Sequence, residues 1–248
     1  MDLLKLDRLS RTVEEKVRPF LEEILAGYRD NIDSIHLVGS AVTEDYHEKT
    51  SDINSVVVLK EMNLKFVEFL APLGKRYRKK GVSAPLIMTP DYIKTSLDVF
   101  PVEFLDLKHI HETVFGDDIL QSIDISNSDL RQQCERDVKS RLVGLRQGYI
   151  SSMGDRPELT ARLAGSISGY MPLFRGIIYL MGRERPVKKH DVIAELHSVT
   201  GVDTSIFRKV LDIRRGSLKP AKEEIDKVFE EYYAATEKIG EIVDGLAI

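Results

Sequence analysis

The stretch Ile35-His36-Leu37-Val38-Gly39-Ser40, together with Asp52-Ile53-Asn54 and the apolar run 56–59 that follows it, decides the fold of this chain. The apolar residues predict one strand over 34–38 and a second over 55–59, with a turn of small residues at Gly39-Ser40 after the first. The polar segment 41–51 is expected to form a short helix and a loop. Side chains two residues apart on an extended segment point to the same side, so Asp52 and Asn54 are predicted to share one face.

These residue types suit the chemistry of phosphates. Gly39 has no Cβ, so the backbone of the turn can approach phosphate oxygens, and Ser40 offers a hydroxyl and a backbone N–H as donors. Asp52 and the side chain at position 54 can together hold a divalent cation, which offsets phosphate charge during phosphoryl or nucleotidyl transfer. Such a site needs a third carboxylate, which is expected from a neighbouring strand.

Helices and strands are predicted to alternate through the first half of the chain. The patterns favour amphipathic helices over 10–28 and 63–80, a third strand over 84–88, a short helix over 90–97 and a fourth strand over 102–107. This alternation indicates a layer of helices on a sheet rather than a sandwich.

From Asn127 onward the apolar spacing stays helical. It predicts helices over 127–151, 157–182, 188–199, 205–214 and 220–243, with no strand among them. The change of pattern predicts two domains, 1–125 and 126–248. The expected fold class is therefore α+β, with a small mixed sheet and flanking helices followed by an all-α helical bundle.

The motif resembles that of the polymerase-β-like nucleotidyltransferase superfamily. The family signature is an apolar residue with Gly-Ser, a gap of about a dozen residues, and then acid, apolar residue, acid, which corresponds here to Val38-Gly39-Ser40 and Asp52-Ile53-Asn54. The helical half is similar in layout to the C-terminal bundles of kanamycin-type and minimal nucleotidyltransferases. The resemblance implies that domain 1–125 transfers a nucleoside monophosphate from an NTP, such as ATP, to the hydroxyl of an unidentified acceptor.

The resemblance also implies roles for particular residues. Asp52, Asn54 and Glu103 would be the catalytic residues and the ligands of Mg²⁺ or Mn²⁺, while Gly39 and Ser40 would bind the nucleotide. Glu103 is matched to the third acid of the family because the strand predicted over 102–107 carries it. Asp106, on the same segment, is the other candidate.

Asn54 departs from the family pattern, which has a second carboxylate at this position. An amide oxygen is neutral and attracts a hard cation less than a carboxylate does. Two hypotheses follow. The chain is an enzyme with weakened metal binding, or it is a catalytically degenerate module that binds a nucleotide or a protein partner.

Other residues have both functional and structural interpretations. His109 and His111 could ligate a metal or lie at the surface, and Lys108 could contact a phosphate or be solvated. The basic run 75–80 could bind RNA or simply favour the C-terminal end of its helix. Three residues of the helix predicted over 157–182 indicate close approach of another backbone, including that of a second subunit, or local irregularity around Pro172; they are Gly165, Gly169 and Gly176.

Composition narrows the classes of partner. Of the 248 residues, 42% are hydrophobic and 31% are charged, and the net charge of −4 lacks the basic excess of a dedicated nucleic-acid binder. The single cysteine, Cys134, excludes an intrachain disulfide and has the spacing of a buried helical residue.

The segment 1–7 lacks the features of a signal peptide, and the apolar run 170–181 falls short of the ~20 residues that span a membrane. The sequence therefore predicts a cytoplasmic protein.

Overall fold

The computed structural model describes residues 4–247, which divide into two compact units. The first unit contains the chain up to Leu97 together with Phe104–Asp124, and the second contains Asp98–Glu103 together with the chain from Ile125 onward. Residues 1–3 and 248 fall within the predicted domain limits and, at the N-terminus, within the segment tested for a signal peptide. They lie outside the described residues.

The first unit is a mixed sheet with helices. The strands are β1 Ile32–Val38, β2 Asn54–Leu59, β3 Leu86–Met88 and β4 His111–Phe115. The helices are α1 Arg11–Tyr28, α2 Leu64–Arg78, α3 Pro90–Thr95 and, across the division between the units, α4 Pro101–His109. The strand order is β3-β2-β1-β4, with β1 antiparallel to both neighbours and β2 parallel to β3.

Alternation along β1 and β2 places a core on one face of the sheet. Ile35, Leu37, Ile53 and Val57 are fully buried and belong to one apolar cluster with residues of α1 and α2. The side chain of Ser10 caps α1 by accepting a hydrogen bond from the Val13 N–H, which satisfies one of the donors left free at a helix start. The other face of the sheet carries the side chains that alternate with these.

The strand predicted over 102–107 is wrong, because this segment lies in helix α4. Val102, Phe104 and Leu105 are all buried, and apolar residues at this spacing are compatible with either a strand or a helix. Pro101 favours the helix, since proline at the first helical position loses no hydrogen bond. The fourth strand, β4, follows as the more polar segment His111–Phe115.

The second unit is helical. Its helices after α4 are α5 Asn127–Ser151, α6 Arg156–Ser166, α7 Tyr170–Leu180, α8 Lys189–Thr200, α9 Ser205–Arg215 and α10 Ile225–Asp244. The single helix predicted over 157–182 is interrupted by a 3₁₀ turn at Ile167–Gly169, before Pro172. Between residues 4 and 247 no helix has the length and apolar character needed to span a bilayer.

Two of the three helical glycines permit close packing within the second unit. A Cβ on Gly176 would lie 3.1 Å from the Sγ atom of Cys134, and one on Gly169 would lie 3.1 Å from the Nη1 atom of Arg141. A Cβ on Gly165 would meet no other part of the described chain within 4 Å. Cys134 is fully buried, as predicted, and burial raises the pKa of its thiol. Approach of α5 accounts for Gly169 and Gly176 without a second subunit.

Candidate functional site

The Gly39-Ser40 turn lies directly after β1. Gly39 begins a 3₁₀ turn, Gly39–Val42, with φ +70°, a conformation that glycine adopts without strain. A Cβ at Gly39 would meet nothing within 4 Å, so conformation rather than crowding requires the glycine. The Gly39 N–H donates to the Ile110 carbonyl at 3.2 Å. Donors for a phosphate would therefore come from the neighbouring Ser40, which is half-buried.

Asp52 and Asn54 stand on either side of Ile53 at the start of β2. Ile53 is fully buried, whereas both flanking residues are exposed. The Ile53 N–H donates to the Gly81 carbonyl at 2.8 Å, and the Ile53 carbonyl accepts from the Ser83 N–H at 3.0 Å, which keeps this segment extended. The Asn54 side chain therefore leaves the side opposite Ile53, whereas Asp52 precedes the strand and lines clefts beside α1 and α2.

Pairing of β1 with β2 brings the turn and the polar pair to one end of the sheet. Asn54 is the cross-strand partner of Val38, the residue before Gly39. We refer to Gly39, Ser40, Asp52 and Asn54 as the ledge. The structure thus places four of the five predicted site residues at neighbouring positions.

Glu103, the fifth, lies on α4 and groups with the second unit. Its Oε2 atom accepts a hydrogen bond from the Gln133 Nε2 atom at 2.7 Å, and the Val102 N–H donates to Gln133 Oε1 at 2.9 Å. Burial and then the Glu103 charge raise the pKa of the Asp137 carboxyl. Asp106 lies on the same helix, so neither candidate for the third acid is on a strand.

The strands beside β1 and β2 do not supply that carboxylate to the ledge. β3 consists of Leu86-Ile87-Met88. Glu112 of β4 is the cross-strand partner of Leu37, whose side chain points into the core, and its Oε1 atom lies 3.6 Å from Nη1 of Arg8. Glu112 therefore projects from the opposite face.

Asp52 also lines a cleft of about 950 Å³ formed against α2. Lys75, Arg78 and Lys79 line the same cleft, and their side chains are exposed. The buried member of this basic run is Tyr77, whose O–H donates to Glu23 Oε1 at 2.5 Å. The proximity of these cations to Asp52 depends on how α2 packs, which the sequence pattern does not reveal.

A second polar group lies on the face of the sheet that carries Asn54. His36 of β1, His111 of β4 and Asp118 after β4 each offer a ligand atom, and these atoms all lie within 4.8 Å of one another. The His111 Nε2 and Asp118 Oδ1 atoms are 2.8 Å apart, and the rings of His36 and His111 meet edge to face at 5.7 Å. We refer to these three residues as the histidine cluster.

Hydroxyl groups hold the ring of His36. Its Nε2 atom is 2.9 Å from Ser34 Oγ, and its Nδ1 atom is 2.8 Å from Thr113 Oγ1. Burial, and then the neighbouring His111, lower the pKa of His36 to about 4, which makes this imidazole neutral at pH 7. Sequence reasoning missed His36 as a candidate ligand and considered His111 only with His109. A histidine within the apolar strand of the opening motif was the available signal.

Lys108, which could have contacted a phosphate or been solvated, is engaged within the first unit. Its Nζ atom donates to the Ile123 carbonyl at 2.6 Å. This bond ties the end of α4 to the segment after β4, so the structure gives Lys108 a structural partner.

Comparison with known proteins supports the fold. No protein-family model matches the sequence, and no curated protein matches it. Among solved structures, the chain is similar to spectinomycin adenyltransferase AAD(9) from Enterococcus faecialis with ATP and spectinomycin, with a TM-score of 0.51 and 14% sequence identity. The similarity covers 91% of this chain and 98% of that chain. The predicted α+β fold class is confirmed.

Proposed function

We propose that the chain is a metal-dependent nucleotidyltransferase that moves a nucleoside monophosphate, with AMP from ATP as the first choice, to the hydroxyl of a small acceptor. The observation that carries the proposal is the cross-strand pairing of Val38 with Asn54, which puts the Gly39-Ser40 turn beside Asp52 and Asn54. The similar adenyltransferase, described with ATP and spectinomycin, supports ATP as donor and a hydroxylated acceptor.

The donor set of the ledge fits a magnesium ion that arrives with the nucleotide. Mg²⁺ is commonly bound by one or two carboxylates together with substrate phosphates and waters. Asp52 would supply one carboxylate and Asn54 an amide oxygen, which is a weaker set than two carboxylates. When bound, the ion would neutralise charge on the phosphates and help to orient them.

The residues of the first unit would position the triphosphate for an in-line reaction. Ser40 would donate to a phosphate oxygen, and the cations Lys75, Arg78 and Lys79 would offset charge along the cleft that Asp52 lines. The acceptor oxygen would bond to the α-phosphorus as the bond to the β-phosphate oxygen breaks and pyrophosphate leaves. The proton of the acceptor hydroxyl would pass to a base.

We assign nucleotide binding to domain 1–125 and leave acceptor recognition to domain 126–248 as its proposed role. Glu103 does not enter this proposal as a metal ligand. Its carboxylate accepts from Gln133, and the strand that motivated the assignment is a helix.

The second candidate function is nucleotide binding without transfer. Two observations favour it, namely the amide at Asn54 and the absence of any carboxylate on β3, Leu86–Met88. In this case the ledge would still bind ATP, and the output would be a change of shape or partner rather than a product.

The two functions separate in one assay. The protein is incubated with ATP labelled at the α-phosphate, Mg²⁺ or Mn²⁺, and a panel of aminoglycoside, aminocyclitol and nucleotide acceptors, and labelled products are resolved by chromatography. The proposal predicts a metal-dependent labelled product with at least one acceptor. If no product forms, a calorimetric titration of ATP into the protein completes the test: binding of ATP without product would favour the second candidate, and failure to bind ATP would contradict both.

A further inference from the structure

A metal site separate from the ledge is suggested by the histidine cluster. His111 and Asn54 are both cross-strand partners of Val38, so they lie in one row across the sheet. Neighbouring strands are about 4.8 Å apart, which puts the Cα atoms of His111 and Asn54 about 10 Å apart. The histidine cluster therefore shares no residue with the ledge. Its two imidazoles offer nitrogen atoms, whereas the ledge offers only oxygen atoms.

We propose that His36, His111 and Asp118 bind one divalent transition-metal ion, with Zn²⁺ as the first choice. Two imidazoles and one carboxylate are a common set of three protein ligands for zinc, and a water or substrate atom completes the coordination. Mg²⁺ prefers oxygen ligands, so this donor set favours zinc over the ion proposed for the ledge. The proposal does not depend on the nucleotidyltransferase assignment.

The spacing of the ligand atoms is close to that of a bound site. Zinc–nitrogen and zinc–oxygen bonds of about 2.1 Å at a tetrahedral angle put ligand atoms about 3.4 Å apart. The observed separations reach at most 4.8 Å, and the His111–Asp118 pair is already at 2.8 Å. Asp118 is 45% exposed and follows Gly116, so a small movement of its side chain can close the remaining gap.

One ring atom in the cluster has no use in the protein alone. The Nδ1 atom of His111 is buried and has no hydrogen-bond partner. The side chain is only 6% exposed, so bulk water does not readily replace that partner. A buried polar atom without a partner costs about 1–3 kcal/mol, so its presence needs an explanation. Nε2, which faces Asp118 at 2.8 Å, is the nitrogen placed to bind the ion, and the unpartnered Nδ1 is free to carry the proton of the ring when Nε2 does so.

The surroundings meet two further requirements of a metal site. Metal-binding histidines are normally oriented by a hydrogen bond at the other ring nitrogen, and Ser34 and Thr113 stand one at each nitrogen of His36. One hydroxyl would orient the ring while the other gives way to the ion. A polar cleft of about 550 Å³ reaches His111 and Asp118, which provides a path for entry.

The test measures metal binding directly. The whole protein is stripped with a chelator, dialysed and titrated with Zn²⁺ alone by calorimetry, and Co²⁺ is added separately to record its visible absorption. The proposal predicts one zinc ion per chain and the intense bands of four-coordinate Co²⁺. A large excess of Mg²⁺ is expected to leave zinc binding unchanged.

Matched variants assign the ligands. His111→Gln and Asp118→Asn are each expected to weaken zinc binding by at least about 10-fold, while the exposed loop residue in His47→Ala serves as the control and leaves it unchanged. Circular dichroism confirms that each variant is folded. Asp52→Asn is expected to retain zinc, which keeps this outcome distinct from that of the nucleotide site. Zinc binding that is absent, or that His111→Gln and Asp118→Asn leave intact, would overturn the proposal.

Discussion

The ledge and the histidine cluster lie in the same sheet and differ in almost every physical respect. The ledge has two exposed donors, of which only Asp52 is charged, and relies on a nucleotide to complete the coordination of an ion. The histidine cluster has two buried imidazoles, one carboxylate and hydroxyl groups that hold the His36 ring. Exposure therefore suits the ledge to a substrate that comes and goes, whereas burial suits the cluster to a resident ion.

Because of this difference, we expect substitutions in the ledge and in the histidine cluster to affect different properties of the protein. A substitution at an exposed donor removes little packing, so its effect is expected in nucleotide chemistry. A substitution at His36 removes a buried ring and two hydrogen bonds, so its effect is expected in folding. The following changes test this separation.

The largest effect is expected at Asp52. Asp52→Asn keeps the size of the side chain and removes the only carboxylate of the ledge, so the transfer rate at fixed Mg²⁺ should fall by at least about 100-fold. The free energy of unfolding should change by less than about 0.5 kcal/mol, because the residue is exposed. Initial rates and urea unfolding measure the two quantities. A large loss of stability with unchanged transfer would reverse the roles assigned to the two regions.

His36→Ala is expected to act in the opposite way. Loss of the fully buried ring leaves a cavity and two hydroxyls without their partner, which should lower the free energy of unfolding by about 2–4 kcal/mol. The measurement is urea unfolding in the presence of a chelator, so that bound metal does not contribute. His47→Ala, in an exposed loop, is the control and should change stability by less than about 0.5 kcal/mol. Equal effects in the two variants would show that the cluster is not part of the packed sheet.

Asn54→Asp should strengthen the ledge. A second carboxylate two residues from Asp52 increases the attraction for Mg²⁺, and we expect half-maximal transfer at about tenfold lower Mg²⁺. Asn127→Asp adds the same charge at an exposed position of the second unit and should leave the Mg²⁺ dependence unchanged. An Asn54→Asp protein that needs as much Mg²⁺ as the unmodified chain would remove Asn54 from the metal site.

The smallest effect is expected at Glu103. Glu103→Gln should alter transfer by less than about threefold, since this carboxylate is already engaged by Gln133. Because the pKa of Asp137 is raised, the contribution of this carboxyl to the free energy of unfolding falls as the pH rises from about 4 towards neutrality. Removing the Glu103 charge should reduce that fall, which urea unfolding at several pH values can measure. A loss of transfer comparable to that of Asp52→Asn would return Glu103 to the catalytic site.

The turn at Gly39-Ser40 and the strand that begins at Asn54 could be predicted from the sequence because the signals for both are local. Alternation of buried and exposed residues predicted that Asn54 leaves the face opposite Ile53, and the small residues of Gly39-Ser40 marked the turn. The pairing that joins the two parts is between β1 and β2, which are consecutive strands along the chain.

The remaining features depend on long-range register or on tertiary packing. The segment 102–107 carries apolar residues at a spacing that fits both a strand and a helix, so its state is decided by packing in the structure. His36 and Thr113 are separated by 77 positions in the sequence and meet only because β1 pairs with β4. No local pattern specifies that pairing, which is why His36 was missed.

The most direct test of the central claim is a calorimetric titration of ATP into the protein with Mg²⁺ and, separately, with a chelator, using the unmodified chain and Asp52→Asn. We predict that the unmodified chain binds ATP more tightly with Mg²⁺ than without it, and that Asp52→Asn removes most of this difference. Affinity for ATP that is the same with and without Mg²⁺, and the same in both proteins, would contradict a metal–nucleotide site at Asp52.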